Sequence, residues 1–182
     1  MNSEPAQGAY IISFTEQGGS VVANGSGSFD ISSLRGQGIG GAGTSYTVAG
    51  FGDLLLGPGP TIYTILLWGP ITGPSSYGTS FQRLASSASG GPVGLSIDNV
   101  GISLELNYLY VSGSSLPVTA TWNNQTIGGM GLTPGVYNYT WGSDSLTIDI
   151  AQSSAPEPAS VALFGIGCAT LFITQRFLRR TR

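Results

Sequence analysis

Ile102-Ser103-Leu104-Glu105-Leu106-Asn107-Tyr108-Leu109-Tyr110-Val111 is the stretch on which the fold turns. Ile102, Leu104, Leu106 and Tyr108 recur every second residue, with Ser103, Glu105 and Asn107 between them. A period of two belongs to a strand, because successive side chains point to opposite faces of a sheet. The pattern predicts one buried face and one wet face, as in an antiparallel sheet open to water on one side.

Working outward, the neighbouring segments carry the same signal. Residues 93–97 (Val-Gly-Leu-Ser-Ile) alternate, and Asp98-Asn99 supplies the turn into the central strand. Residues 116–122 read as a strand that Pro117 pushes toward an edge or a start position. Residues 136–141 and 145–150 flank Gly142-Ser143-Asp144 as a closing hairpin. On the other side, the Leu-rich runs 54–56 and 62–68 are too short and too punctuated for helices, which favours buried strands. Residues 10–15 and 20–23 form a hairpin across Gly18-Gly19, and residues 26–31 are expected as a third strand. Residues 35–44, dominated by glycine, and 86–91, made of small residues, are expected as loops, while 81–84 fit either an edge strand or one helical turn. Residues 125–127 are expected to pair briefly at most. About ten short strands without an amphipathic helix indicate an all-β, antiparallel β-sandwich or jelly-roll-like domain.

Composition narrows the chemistry. Charged residues make up 8% of the 182, with no histidine and no lysine, so the polar surface is built from Ser, Thr, Asn, Gln and Gly. In residues 1–155, Arg35 and Arg83 stand against eight acids, a formal charge of −6. Nucleic acid is excluded as a partner, because phosphate binding needs clustered cations. The single cysteine, Cys168, lies in an apolar stretch near the C-terminus, so the body has no disulfide, no thiol nucleophile and no Cys/His metal cluster. Without histidine, Ser-His-Asp and Cys-His arrangements are ruled out, and proton transfer falls to carboxylates or Tyr. Gly36-x-Gly38-x-x-Gly41 matches the dinucleotide fingerprint formally, but a strand rather than a helix is expected after it, so no cofactor is assigned.

The last 27 residues have a separate logic. Pro156-Glu157-Pro158 precedes an uncharged stretch from Ala159, which ends in a cluster of Arg176, Arg179, Arg180 and Arg182. About 16 apolar residues at roughly 1.5 Å rise give about 24 Å, short of the roughly 30 Å hydrocarbon core. Phe177 and Leu178 extend the span while Arg176 snorkels, and the positive-inside rule keeps the arginines in the cytoplasm. The expected division is a disordered N-terminus over 1–8, a sandwich ectodomain over 9–150, a linker over 151–158, a transmembrane helix over 159–178 and a basic tail over 179–182.

This order of features resembles the PEP-CTERM sorting signal of Gram-negative bacteria. The resemblance implies recognition of Pro156, Glu157 and Pro158 by an exosortase, a membrane cysteine transpeptidase. It also implies an inner-membrane precursor with its body in the periplasm, then release to the cell surface or an exopolysaccharide matrix. Residues 10–30 and 139–148 are also similar to a β-rich ectodomain that recurs among PEP-CTERM proteins, to which no activity attaches. Met1-Asn2-Ser3-Glu4-Pro5 has neither a basic n-region nor an apolar run. Either a signal peptide lies upstream of this start, which is the preferred reading, or the protein inserts from its tail with the arginines crossing.

For the body, two functions compete. A non-enzymatic structural or adhesive surface protein is favoured, with no cofactor and no metal. Its rival is a carbohydrate-binding module or carboxylate-dependent glycan-active enzyme on the same tail. The candidate acids are Glu16, Asp30, Asp53, Asp98, Glu105, Asp144 and Asp149, and Trp68, Trp122 and Trp141, with Tyr137 and Tyr139, are the candidate glycan-binding rings. Two exposed carboxylates sharing a groove with Trp122 or Trp141 would favour the rival.

Overall fold

The computed structural model describes residues 9–41, 43–57 and 63–152. In chain order these form β1 (Ala9–Gln17), β2 (Ser20–Gly27), β3 (Arg35–Gly41), β4 (Tyr46–Val48), a 3-10 turn (Ala49–Phe51), β5 (Asp53–Leu56) and β6 (Tyr63–Trp68). There follow β7 (Arg83–Leu84), β8 (Ser87–Gly90), β9 (Val93–Ile97), β10 (Ile102–Asn107), β11 (Val118–Trp122), β12 (Gly135–Trp141) and β13 (Asp144–Ile150). The described residues are all-β, with a six-stranded sheet ordered β12-β13-β1-β2-β11-β8 and a seven-stranded sheet ordered β3-β6-β10-β9-β5-β4-β7.

Alternation builds the six-stranded sheet. Tyr10, Ile12 and Phe14 of β1, Val118, Ala120 and Trp122 of β11, and Leu146, Ile148 and Ile150 of β13 are buried, while the residues between them are exposed or half-buried. They share one core with Leu54, Leu56, Val93, Leu95, Leu104 and Leu106 of the other sheet. Aromatic contacts knit this core, with Phe29 stacked on Tyr10 at 4.4 Å and tilted against Trp141 at 5.9 Å.

The expected hairpins form. β1 and β2 pair antiparallel, and Gly18 and Gly19 between them both take positive φ. β12 and β13 pair antiparallel around Gly142. The sheets are not wholly antiparallel, however, because β1 and β13 run parallel from the Ala9–Ser145 pair to the Phe14–Ile150 pair. The chain between them is long enough for the crossover that a parallel pair requires.

Other expectations need correction. Thirteen strands form among the described residues where about ten were expected, and the glycine-rich 35–41 and the small-residue 87–90 are edge strands rather than loops. A residue needs no side chain to join a ladder, and β3 pairs with β6 despite a register shift between Gly36 and Ile39. The third strand expected at 26–31 does not form. β2 ends at Gly27, and side chains then take the backbone donors: the Phe29 N–H donates to Tyr110 Oη at 2.8 Å, and the Asp30 N–H to Asp144 Oδ2 at 2.5 Å. β10 ends at Asn107, where Asn107 Oδ1 accepts the Leu109 N–H at 2.8 Å, so Tyr108 leaves the buried face and is exposed. Ser103, expected to be wet, is buried. Of the two positions expected for Pro117, the start holds, since β11 begins directly after it, and the edge does not, since β11 lies between β2 and β8. Residues 81–84 resolve as the edge strand β7, and residues 125–127 form no strand. The dinucleotide-like glycines lie within β3, with no helix following.

Pro156, Glu157, Pro158, Cys168, the expected 159–178 helix, Arg176, Arg179, Arg180 and Arg182 lie outside the described residues, as do residues 1–8. Among the described residues, no helix is long and apolar enough to cross a membrane.

One glycine fixes the β1–β2 contact. Gly27 has φ +124°, and a Cβ there would collide with the Ala9 carbonyl. Gly27→Ala is expected to destabilise the fold by about 2–4 kcal/mol through backbone strain and overpacking. Urea unfolding monitored by tryptophan fluorescence checks this, and an unchanged midpoint would contradict the geometry.

Candidate functional site

The shared core takes one face of each sheet, and on the seven-stranded sheet the opposite face carries buried Thr64, Ser103 and Leu55 beside half-buried Leu66, Trp68 and Glu105. On the seven-stranded sheet, Leu67 of β6 and Leu104 and Leu106 of β10 point into the core. Thr64, Leu66 and Trp68, with Ser103, Glu105 and Asn107, therefore point outward by alternation. The register then fixes which of these residues are neighbours.

One cross-strand row runs Leu66, Glu105, Gly94, Leu55, Tyr46, Leu84. The adjacent row runs Arg35, Trp68, Ser103, Ser96. Glu105 is thus flanked by Leu66 and by Gly94. A Cβ on Gly94 would stand 2.8 Å from the Leu54 carbonyl, 3.1 Å from Leu55 Cδ1 and 3.2 Å from Glu105 Cβ, so the glycine lets these neighbours pack closely beside the Glu105 stem. The Thr64 hydroxyl, on a residue that is buried, donates to Glu105 Oε1 at 2.5 Å and fixes the acid's orientation. Burial raises the pKa of the Tyr46 phenol, and the negative charges of Glu105 and Asp53 push it further in the same direction. Trp68 is half-buried and takes no part in the core.

The remaining acids have a different occupation, because five of them hold backbone amides. Glu16 Oε1 accepts the Ile127 N–H at 2.6 Å, and Asp53 Oδ1 accepts that of Ile97 at 2.6 Å. Asp98 Oδ1 takes the Val100 and Gly101 amides, closing the β9–β10 turn. Asp30 Oδ1 accepts the Ser32 N–H at 2.9 Å, which lowers the Asp30 pKa. Asp144 accepts from Asp30 at 2.5 Å and from Ser145 at 2.6 Å. Burial nevertheless raises the pKa of Asp144, and likewise that of Asp53. Asp149 is exposed on the outer face of the six-stranded sheet.

The three tryptophans do not share a face. Trp122 and Trp141 are each 2% exposed, and their indole N–H groups donate to the Arg83 carbonyl at 3.1 Å and the Asp30 carbonyl at 3.0 Å. Burial withdraws both rings from any ligand, and it separates Asp30 and Asp144 from an exposed aromatic. Tyr139 is buried, and Tyr137 packs edge-on against Tyr77 at 6.1 Å. The structure groups Trp141 with Asp144 and Asp30 around a buried ring, and it sets Trp68 and Glu105 in adjacent rows on the outer face of the seven-stranded sheet. The sequence reading missed Tyr46 and Gly94 as their partners. The available signal was strand parity, since Tyr46 and Leu55 fall on the same face once β4 and β5 are paired.

A cavity of about 150 Å³ lies under Thr44, Ser45, Gly57 and residues 85–88, where the Ser45 hydroxyl donates to the Gly57 carbonyl. Among the described residues, no three His, Cys, Asp or Glu side chains come together as metal ligands. No protein-family model matches the chain, and neither a curated protein nor a solved structure does.

Proposed function

We propose that this is an exported surface or extracellular-matrix protein, structural or adhesive rather than catalytic, with a β-sandwich body displayed on a processed tail. The observation that carries the reading is the engagement of the acids: Glu16, Asp30, Asp53, Asp98 and Asp144 each hold a backbone N–H. Carboxylates spent on closing turns and docking loops are poor candidates for moving protons. Two carboxylates facing one cleft, which glycoside hydrolysis requires, are not assembled around Trp122 or Trp141, whose rings lie in the core.

The tail supplies the destination. Pro158 suits the first position of a helix, where its missing N–H costs nothing, and it keeps Glu157 extended. Pro156-Glu157-Pro158 is then a stiff peptide at the membrane surface, which an exosortase grips. Arg176, Arg179, Arg180 and Arg182 anchor the cytoplasmic side until cleavage, and the body passes from the periplasm to the cell surface or an exopolysaccharide matrix.

Mass spectrometry of the native surface-released protein tests this. The expected product ends near Pro156–Pro158 and lacks Cys168. Recovery of the intact Arg182 terminus in a membrane fraction, with exosortase present, would overturn the sorting claim.

A further inference from the structure

The outer face of the seven-stranded sheet combines features that packing does not require. Trp68 and Leu84 stay partly or largely exposed on it, and Leu55 is buried there without belonging to the core. Among these apolar surfaces sits the half-buried Glu105, whose Oε1 is held by Thr64 and whose cross-strand partner, Gly94, has no side chain. Neighbouring strands lie about 4.8 Å apart, so the path from Trp68 on β6 to Tyr46 on β4 crosses four strand spacings, about 19 Å.

We propose that this face binds a neutral glycan chain laid across the strands, with Trp68 stacking on a sugar ring and the half-buried Glu105 accepting hydroxyl hydrogen bonds.

The chemistry selects this occupant over others. A pyranose presents apolar C–H faces and equatorial hydroxyls together. It therefore needs flat aromatic or aliphatic surface alternating with acceptors, which is what the two cross-strand rows offer. A carboxylate is a stronger hydroxyl acceptor than a neutral group, and its orientation is fixed in advance by Thr64. An acidic polysaccharide is disfavoured, because Glu105 and Asp53 both point to this face and the body carries a net negative charge. Arg35 is the one cation paired into the Trp68 row, and it lies at the rim on the edge strand β3. A nucleic acid would require a row of such cations.

The inference deepens the adhesive reading and rests on it for its setting, but the two can fail separately, since cleavage is read at the tail and binding at the sheet. The test uses the full 182-residue chain in a detergent without a sugar headgroup, run in native affinity gels that contain hydroxyethylcellulose, dextran or alginate. Retardation is expected in at least one of the two neutral polymers and not in alginate. Trp68→Ala should raise the apparent dissociation constant about tenfold or more, as for loss of an aromatic anchor. Glu105→Gln keeps an acceptor for Thr64 and should raise it about fivefold to tenfold, through loss of the charge-assisted bonds. Trp68→Phe should stay within about threefold, since a ring remains to stack. Val136→Ser, on the opposite sheet, should leave binding unchanged. The buried Trp122 and Trp141 report folding of every variant by their fluorescence. Equal retardation of folded Trp68→Ala and the native chain would overturn the proposal, as would stronger retardation in alginate or none in either neutral polymer.

Discussion

Trp141→Ala is expected to lower the stability of the body by about 3–5 kcal/mol, the range for truncating a buried tryptophan. Two losses combine. The first is packing, because the indole lies in the core against Phe29 at 5.9 Å, and Phe29 in turn stacks on Tyr10 of the central strand β1. The second is polar, because the indole N–H is the donor to the Asp30 carbonyl at 3.0 Å, and its removal leaves that carbonyl without this partner. Trp141→Phe separates the two. It keeps most of the apolar volume and loses the donor, so about 1–3 kcal/mol is expected. Chemical denaturation with a matched slope measures both, and a change below about 1 kcal/mol for the alanine variant would contradict the burial.

Asp144→Ala should cost about 2–4 kcal/mol, because two backbone amides, those of Asp30 and Ser145, lose a partly buried acceptor. Asp144 and Trp141 are directly opposite in the β12–β13 ladder, and they hold the Asp30 backbone from both sides, one taking its N–H and the other donating to its carbonyl. Their losses should therefore be non-additive, with the double variant less destabilised than the sum. The pH dependence has a definite sign. Burial raises the Asp144 pKa, so the folded state holds this proton more tightly than the unfolded chain, whose value is about 3.9. The contribution is complete below that value, declines as pH rises toward the raised one, and is absent above it. The gap in stability between the native protein and Asp144→Ala should accordingly narrow as pH increases through that window. Asp53 has the same sign. Asp30 has the opposite one, since the Ser32 amide favours its charged form, but it is too exposed for a large effect. Unfolding midpoints across the acid range check the sign, and a gap that widens with pH would contradict it.

The legible parts of the fold are those where one side of a strand is apolar and the other is not. β10, β13 and β11 show that alternation, and their core residues follow from it. β3 and β8 were opaque because Gly and Ser give no contrast between faces, and only their partners β6 and β11 make them strands. The continuation of β2 past Gly27 failed for another reason. Residues 28–31 keep the alternating pattern, but Tyr110 and Asp144, distant in sequence, supply better partners for their amides than a further ladder would. The site was half legible. Glu105 stands out on the polar side of β10, whereas the run Ile65-Leu66-Leu67-Trp68 conceals which two residues face outward. Gly94, Leu55 and Tyr46 become neighbours of Glu105 only through strand order, which no local pattern encodes.

The parallel pairing of β1 with β13 also governs how the body responds to force. The first described strand and the last lie side by side and run the same way, so a pull between Ala9 and Ile150 acts along both strands in opposite senses. Every register pair from Ala9–Ser145 to Phe14–Ile150 then shares the load in shear, and all of them must slip together before the ends separate. The β12–β13 hairpin, drawn apart at its open end, would instead unzip one pair at a time. Loaded through its two ends, the domain is a mechanical clamp, stiff along the direction in which its own chain enters and leaves.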